Sequence, residues 1–238
     1  MVGLGAAINA AGILAGGLLG RFGGKLLTER FRETVGKACG VSVLIIGISG
    51  AMEGMLSVAD AKLVSGGSML LVLSLALGAL AGELCNIDGL FERFGKWLRE
   101  KTGNARDTQF VEGFVTASLT VCIGAMAVVG SIEDGISGDC SVLVTKSVLD
   151  FIIVMVMTCS YGHGCLYSAI PVGIIEGLMT AAARLLRPIM TAAALANLSF
   201  IGSVLIFCVG LNLVFDSKIR VANLLPALLF AVLPAYFM

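Results

Sequence analysis

Three ionisable residues lie within long apolar stretches of the chain, where they could bind or carry charge: Lys146, Asp150 and Glu176. Lys146 precedes Asp150 by one helical turn, so the two side chains share a helix face and can pair. Asp150 lies about 12 residues before a short connection near residue 162, and Glu176 about 13 after it, which gives both carboxylates a similar depth on antiparallel helices. Two carboxylates held together away from water share a proton or bind a cation. The spacing therefore predicts a site that handles protons or cations.

The same residues also fit a purely structural interpretation. Lys146 and Asp150 would then form an ion pair that only holds helices together, while Glu176 would be protonated or bonded to a neighbouring helix. The two interpretations differ in how the helices are rotated about their axes. The sequence leaves that rotation, and therefore the choice, open.

Polar residues in other apolar runs are candidates for the same ion or substrate path. Asn9 and Asn212 either line the interior or join neighbouring helices through hydrogen bonds. Glu112 opens the apolar run that starts at residue 110, where its carboxylate can reach interfacial water.

The residues that bind metals or perform covalent catalysis are poorly represented. His163 is the only histidine, which excludes a three-histidine zinc site. One cluster combines soft sulfur ligands with an imidazole, which would suit copper or zinc, but its spacing matches no closed metal site. Its members are Met155, Met157, Cys159, His163 and Cys165. There is no phosphate-binding loop and no nucleophile elbow. We therefore expect no metal, no cofactor and no enzymatic activity.

The composition indicates which elements must position the ionisable residues. Apolar residues make up 58% of the 238 positions and charged residues 13%, whereas soluble domains carry about 25% charge. The chain has room for about eight spans of roughly 20 residues. We predict an all-α, polytopic membrane helix bundle, with residues 1–238 forming a single transmembrane domain. The zero net charge argues against a nucleic-acid partner, so the expected partners are the lipid bilayer and a small solute or ion; homo-oligomerisation stays open.

Hydropathy and charge together predict the spans and their orientation. Apolar runs fall at residues 2–20, 38–56, 67–86, 110–132, 142–160, 165–182, 198–214 and 221–237. Twelve of the 16 basic residues lie in the first, third and seventh connections, and the acidic stretch 131–139 has none. The positive-inside rule places the basic connections in the cytoplasm and both termini outside it.

The third connection has the pattern of a helix lying on the membrane surface. Apolar residues recur at helical spacing from Ile87 to Leu98, and Arg93, Lys96 and Arg99 fill the opposite face. Such a helix rests its apolar side on the acyl boundary and its basic side near anionic headgroups. The alternative is an ordinary loop helix packed on the rest of the protein.

An internal repeat provides a hypothesis for the architecture. A shift of 161 positions places Gly12, Ile13 and Gly16 on Gly173, Ile174 and Gly177, and Ser42–Ile45 on Ser203–Ile206. Units 1–90 and 163–238 would then flank a central hairpin, 110–160. Their equivalent spans lie five helices apart, which gives an inverted-topology repeat of the kind used for alternating access. Chance matching of apolar, glycine-rich sequence is the alternative.

Several longer motifs carry a resemblance to a known family. They are Phe110–Leu119, Gly124–Met126, Gly130–Gly135, Gly210–Leu213 and Arg220–Ala227. Through these motifs, nearly the whole chain resembles a prokaryotic membrane family, the one called domain of unknown function 554 (YqgA/YdfK-like). The resemblance implies a multi-pass protein of the bacterial inner membrane but no activity. It also places Glu112 and Ser118 within recognisable motifs, so Ser118 joins the candidate path.

The combined expectation is a secondary transporter or channel-like permease for an ion or small solute, coupled to protons or cations through the midplane carboxylates. The alternative is a non-transporting scaffold whose basic surface helices recruit cytoplasmic partners or anionic lipid.

Overall fold

Helices make up nearly all of the fold. The computed structural model describes residues 2–26, 28–59, 62–104, 107, 109–123, 125–188, 190–215 and 217–236. The helices are α1 (Leu4–Leu26), α2 (Glu29–Met55), α3 (Ser68–Cys85), α4 (Ile87–Lys101), α5 (Phe110–Cys122), α6 (Ala125–Ser137), α7 (Ser141–Tyr161), α8 (Ala169–Ala181), α9 (Ala183–Leu186), α10 (Ala192–Phe215), α11 (Val221–Leu224) and α12 (Ala227–Val232). Short 3-10 helices occupy His163–Ser168 and Leu233–Tyr236. Strands β1 (Leu56–Ala59) and β2 (Lys62–Ser65) form one antiparallel hairpin in which Leu56 faces Ser65.

Six helical segments in the described part of the chain are long and apolar enough to cross a bilayer. They are α1, α2, α3, α7, α10 and the continuous segment His163–Ala181. This confirms the predicted all-α membrane bundle. Both α1 and α2 are longer than their predicted spans and approach within a few residues of each other, so the basic region 21–37 consists mainly of helix ends.

The fourth predicted span is not one straight helix. A run at 110–132 was expected, but α5 and α6 are bent by 63° at a break near residue 123, where Ile123 has an extended backbone. The pair nevertheless traverses the bundle, because Phe110 packs on Gly164 near one end and Asp134 accepts a hydrogen bond from Gly3 at the other. The helix also continues to Ser137, through the stretch that was expected to be an outer loop.

The eighth predicted span, 221–237, is short and broken. Pro226 lacks an amide hydrogen, and the helix is interrupted between Leu224 and Ala227. The segment lies antiparallel to α3, with Asn223 beside Gly82 and Ala227 beside Gly78. Residues 221–236 extend about 24 Å at ~1.5 Å per residue, less than the roughly 30 Å of hydrocarbon. The eight predicted spans therefore correspond to six helical segments long and apolar enough to cross a bilayer, one bent helix pair and one short, broken segment.

Glycine brings the principal helix pairs into close contact. Helix α1 lies parallel to α7, and the glycine face predicted on α1 contacts the α7 backbone. A Cβ at Gly16 would collide with the carbonyl of Phe151. Helix α2 packs antiparallel on α10 in the same manner, with Gly47 against the backbone of Phe207. Small residues allow this approach, which supplies the dispersion contacts that hold helices together in lipid.

We predict that Gly16→Ala destabilises the protein, because the added methyl overpacks a backbone contact at a cost of about 1–3 kcal/mol. Gly177→Ala is the matched control, since Gly177 lies at the repeat-equivalent position of α8 and a Cβ there meets nothing within 4 Å. Thermal unfolding of the purified protein in detergent measures both variants. Equal melting temperatures for the two would contradict the packing role of Gly16.

Candidate functional site

Four of the residues predicted from the sequence meet at the centre of the bundle. Lys146 and Asp150 come from α7, Glu176 from α8 and Asn9 from α1. The Asn9 amide nitrogen donates to Asp150 Oδ2 at 3.0 Å and to Glu176 Oε1 at 2.8 Å. The Lys146 ammonium pairs with Asp150 Oδ2 and lies 3.5 Å from Glu176 Oε1. We call these four residues the charge cluster.

A backbone group completes the surroundings of Lys146. Its ammonium also donates to the carbonyl oxygen of Val121 at 2.8 Å. Val121 lies in the last turn of α5, where carbonyls lack partners within the helix. The break between α5 and α6 therefore supplies a buried acceptor to the cluster. Sequence reasoning missed this contact because the acceptor is a main-chain oxygen with no residue signature.

The charge cluster is sealed from water and from lipid. Asn9, Glu176, Asp150 and Lys146 are 0%, 1%, 4% and 5% exposed, respectively. Four cavities among the described residues, of about 370, 210, 190 and 340 Å³, have no cluster residue in their lining. The sequence alone had not settled whether these side chains share an interior. The structure brings them together in a closed, hydrogen-bonded group.

The charges of the cluster do not balance when every group is ionised. One ammonium faces two carboxylates, so the enclosed group would carry a net negative charge. Two deeply buried acceptors, Asn9 Oδ1 and Glu176 Oε2, also have no hydrogen-bond donor among the described residues. A buried uncompensated charge and unpaired acceptors are both costly. One additional proton or small monovalent cation would balance the charge of the cluster.

The remaining predicted path residues lie elsewhere or have no polar contact. Asn212 accepts from the Ile219 amide at 2.8 Å and donates to the Ile219 carbonyl at 2.7 Å, which closes the loop after α10. Glu112 is exposed in the first turn of α5 and lines a surface cavity of about 340 Å³ with Asp88 and Glu92. Burial, and then the nearby Glu92 carboxylate, raise the pKa of Asp88. Ser118 is buried in α5, and its hydroxyl has no partner in the described part of the structure.

A further buried carboxylate, outside the charge cluster, lies at the end of the bundle where α1 begins. Asp134 of α6 is fully buried, and its Oδ2 accepts from the amides of Gly3 and Gly5, each at 3.1 Å. It thus satisfies free donors at the N-terminus of α1, where the helix dipole also favours negative charge. The sequence had suggested an acidic outer loop here and gave no sign of this contact.

A polar cavity opens at the opposite end, where α1 turns into α2. Two adjoining spaces of about 370 and 210 Å³ share Gln109 and Ser160, and we call them together the vestibule. Its other lining residues are Arg21, Gly24, Glu29, Glu33, Gly36, Lys37, Thr158, Cys159, Tyr161, Gly162, His163 and Leu213. His163 Nδ1 lies 3.3 Å from Asp107, and its Nε2 lies 2.7 Å from the Asn104 side-chain oxygen. Within the described ranges, no three His, Cys, Asp or Glu side chains are arranged to hold a metal ion.

Comparison with known proteins gives the chain a family. The family described as "Protein of unknown function (DUF554)" matches residues 4–236. "Uncharacterized protein YqgA" of Escherichia coli (strain K12) is 32% identical over 232 residues, covering 96% of this chain and 94% of that protein. "Uncharacterized membrane protein YdfK" of Bacillus subtilis (strain 168) is 26% identical over 225 residues, covering 94% and 92%. No solved structure matches the chain.

We predict that Lys146→Met destabilises the protein by about 3–5 kcal/mol, because it leaves buried carboxylates and the Val121 carbonyl without their cation. In an Asp150→Asn background the same substitution should cost at least about 1 kcal/mol less, since one of those charges is already gone. Thermal unfolding in detergent measures the resulting double-mutant cycle.

Lys96→Met is the matched control for this cycle. Lys96 forms the same i, i+4 ion pair with Glu92 at 3.1 Å, but on an exposed helix surface. Exposed pairs contribute at most about 1 kcal/mol, so this variant should remain close to the wild-type protein. If Lys146→Met were as mild as Lys96→Met, the cluster would not be held by its ammonium.

Proposed function

The chain belongs to the family of unknown function DUF554, and from its charge cluster we propose that it is a transporter or channel-like permease for an ion or small solute. The membrane would be the bacterial cytoplasmic membrane. Transport would be coupled to protons or cations through Asp150 and Glu176.

The unbalanced charge of the sealed cluster is the observation that carries this proposal. An ion pair alone uses one acid and one base, whereas this cluster has a second carboxylate, bonded to Asn9, and two acceptors without donors among the described residues. Ionisable groups within the membrane are expensive, and they typically mark ion or proton pathways. A site that is complete only with one more positive charge is suited to binding and releasing that charge.

The helix break beside the cluster supports the same function. Non-helical backbone at membrane depth is tolerated where protein covers it or where it lines a cavity. Transporters commonly place their binding sites at such breaks, where free backbone groups contact the ion. In this chain the Val121 carbonyl at the break contacts Lys146, so a change in the cluster would act directly on the α5–α6 bend.

Helix packing supports the hypothesis of an inverted repeat. The shift of 161 places α1 on residues 165–187 and α2 on 190–216, close to the observed segments His163–Leu186 and Ala192–Phe215. Each pair of equivalents also packs antiparallel, with Gly17 beside Leu166 and Gly47 beside Phe207. Helix α3 packs in the same way on the broken segment 221–236, the third element of the second unit. A twofold axis in the membrane plane relates helices in this manner.

We also propose the orientation that the basic residues indicate. Arg21 and Lys37 line the vestibule, and Lys218 and Arg220 precede α11 at the end of α10. By the positive-inside rule the vestibule faces the cytoplasm, and Asp134 lies near the outer surface together with both termini.

We predict that Asp150→Asn and Glu176→Gln each reduce flux by at least about tenfold, equivalent to about 1.4 kcal/mol. The reason is that each amide removes a negative charge that holds the transported or coupling cation. Flux is measured in liposomes under an imposed cation or pH gradient. Glu53→Gln is the control, since Glu53 is an exposed acid on α2. Unchanged flux in both cluster variants would overturn the proposal.

The scaffold function has one observation in its favour. Helix α4 buries Gly95 and Leu98 but leaves Leu90 and Trp97 about half exposed beside its basic residues. That pattern fits a helix resting in the membrane interface. Reversing Arg93, Lys96 and Arg99 to glutamate should leave flux intact under the transport proposal. Loss of function on this reversal, with normal activity in the Asp150 and Glu176 variants, would favour the scaffold.

A further inference from the structure

We propose that the charge cluster exchanges a small monovalent cation with the vestibule along one face of α7, across a barrier formed by Val154 and Met157. The proposal rests on the transport function above and specifies its ion class and route. Thr158 would contact the cation on the vestibule side of the barrier, and Asp150 would contact it on the cluster side.

Thr158 provides a polar group at the inner wall of the vestibule. It is 3% exposed and lines the 210 Å³ space, and its hydroxyl has no hydrogen-bond partner among the described residues. Threonines within helices usually bond to the carbonyl four residues earlier, as Thr120 and Thr145 do. The Thr158 hydroxyl makes no such bond. Its oxygen is thus available to a cation that leaves the vestibule.

The helical register connects Thr158 to the cluster. Thr158, Val154 and Asp150 are spaced by four residues, so they lie on one face of α7. Thr158 and Asp150 are separated by about 12 Å along the helix axis at ~1.5 Å per residue. Val154 and Met157, both 0% exposed, fill the space between these two levels. On this face of α7, Val154 and Met157 therefore separate the vestibule from the charge cluster, within a buried apolar cluster that also contains Ile13, Ala169 and Val172.

The opposite side of the cluster is closed by another set of contacts. Leu143 lies nearly one turn before Lys146, is 0% exposed and packs on Gly5 and Gly130. Beyond it, Asp134 binds the first amides of α1. None of the described cavities reaches this region. The geometry therefore assigns the route to the vestibule side.

The chemistry along the route selects a cation. The available groups are the hydroxyl of Thr158, the carboxylates of Asp150 and Glu176, and the side-chain oxygen of Asn9. All of them are oxygen acceptors, the ligands that protons and hard cations take. An anion would meet a cluster that is already one negative charge in excess. One positive charge, and no more, restores neutrality, which indicates a proton or a monovalent metal cation.

Cysteine labelling tests the route independently of transport. Thr158→Cys should react with a membrane-impermeant cationic thiol reagent from the vestibule side, giving one adduct more than the wild-type protein by intact mass. Leu143→Cys should give no additional adduct from that side. An anionic reagent of similar size should label the Thr158→Cys variant several-fold more slowly, because the charge cluster further along the route carries excess negative charge. Reaction of Leu143→Cys in place of Thr158→Cys would overturn the assigned route.

Substitution of Val154 tests the barrier. Val154→Thr keeps the side-chain volume and adds a hydroxyl, and Val154→Ala removes two methyl groups, so both should raise cation flux in liposomes several-fold. Val148→Ala is the matched control, because Val148 is 57% exposed on the same helix. Unchanged flux in both folded Val154 variants would overturn the barrier. Labelling at 158 without any cation flux in the wild-type protein would instead contradict the transport function and leave the vestibule route standing.

Discussion

The ammonium of Lys146 is the contact on which the centre of the molecule depends. It meets Asp150 on its own helix, Glu176 on α8 and the Val121 carbonyl at the end of α5. Asn9 of α1 then bridges the two carboxylates. Hydrogen bonds thus join four helices at a buried site. Removal of any one partner there leaves a buried polar group unpaired, which is costly. The glycine contacts between α1 and α7 are what allow Asn9 to come this close.

The two ends of the bundle are built differently around this centre. At the α1 N-terminus a carboxylate binds backbone amides, and a fully buried leucine fills the space beneath. At the other end a polar vestibule extends inward as far as Thr158. Because apolar side chains cover the cluster on both sides, an ion can reach it only when packing changes. A charged site closed on both sides is consistent with the alternating access that the proposed transport function would use.

The sequence predicts well those features that depend only on the position of a residue along its helix axis. The common depth of Asp150 and Glu176 follows from the rise per residue. Sequence reasoning was weakest where rotation or the backbone decided the contact. Hydropathy does not separate Asn9, which faces the cluster, from Asn212, which closes a loop. The break after α5 contains no proline, and the acceptor that it offers is a carbonyl, so no side-chain pattern marks it.

The order of partners along the chain has a consequence for biosynthesis. The partners of Asn9 lie 141 and 167 residues later, and those of the α1 amides about 130 residues later, so α1 emerges from the ribosome long before either exists. Helix α2 is likewise synthesised long before α10, the helix on which it packs. The first hairpin therefore enters the bilayer with an unsatisfied amide and bare glycine faces. The final packing of α1 and α2 therefore depends on the later insertion of α7, α8 and α10.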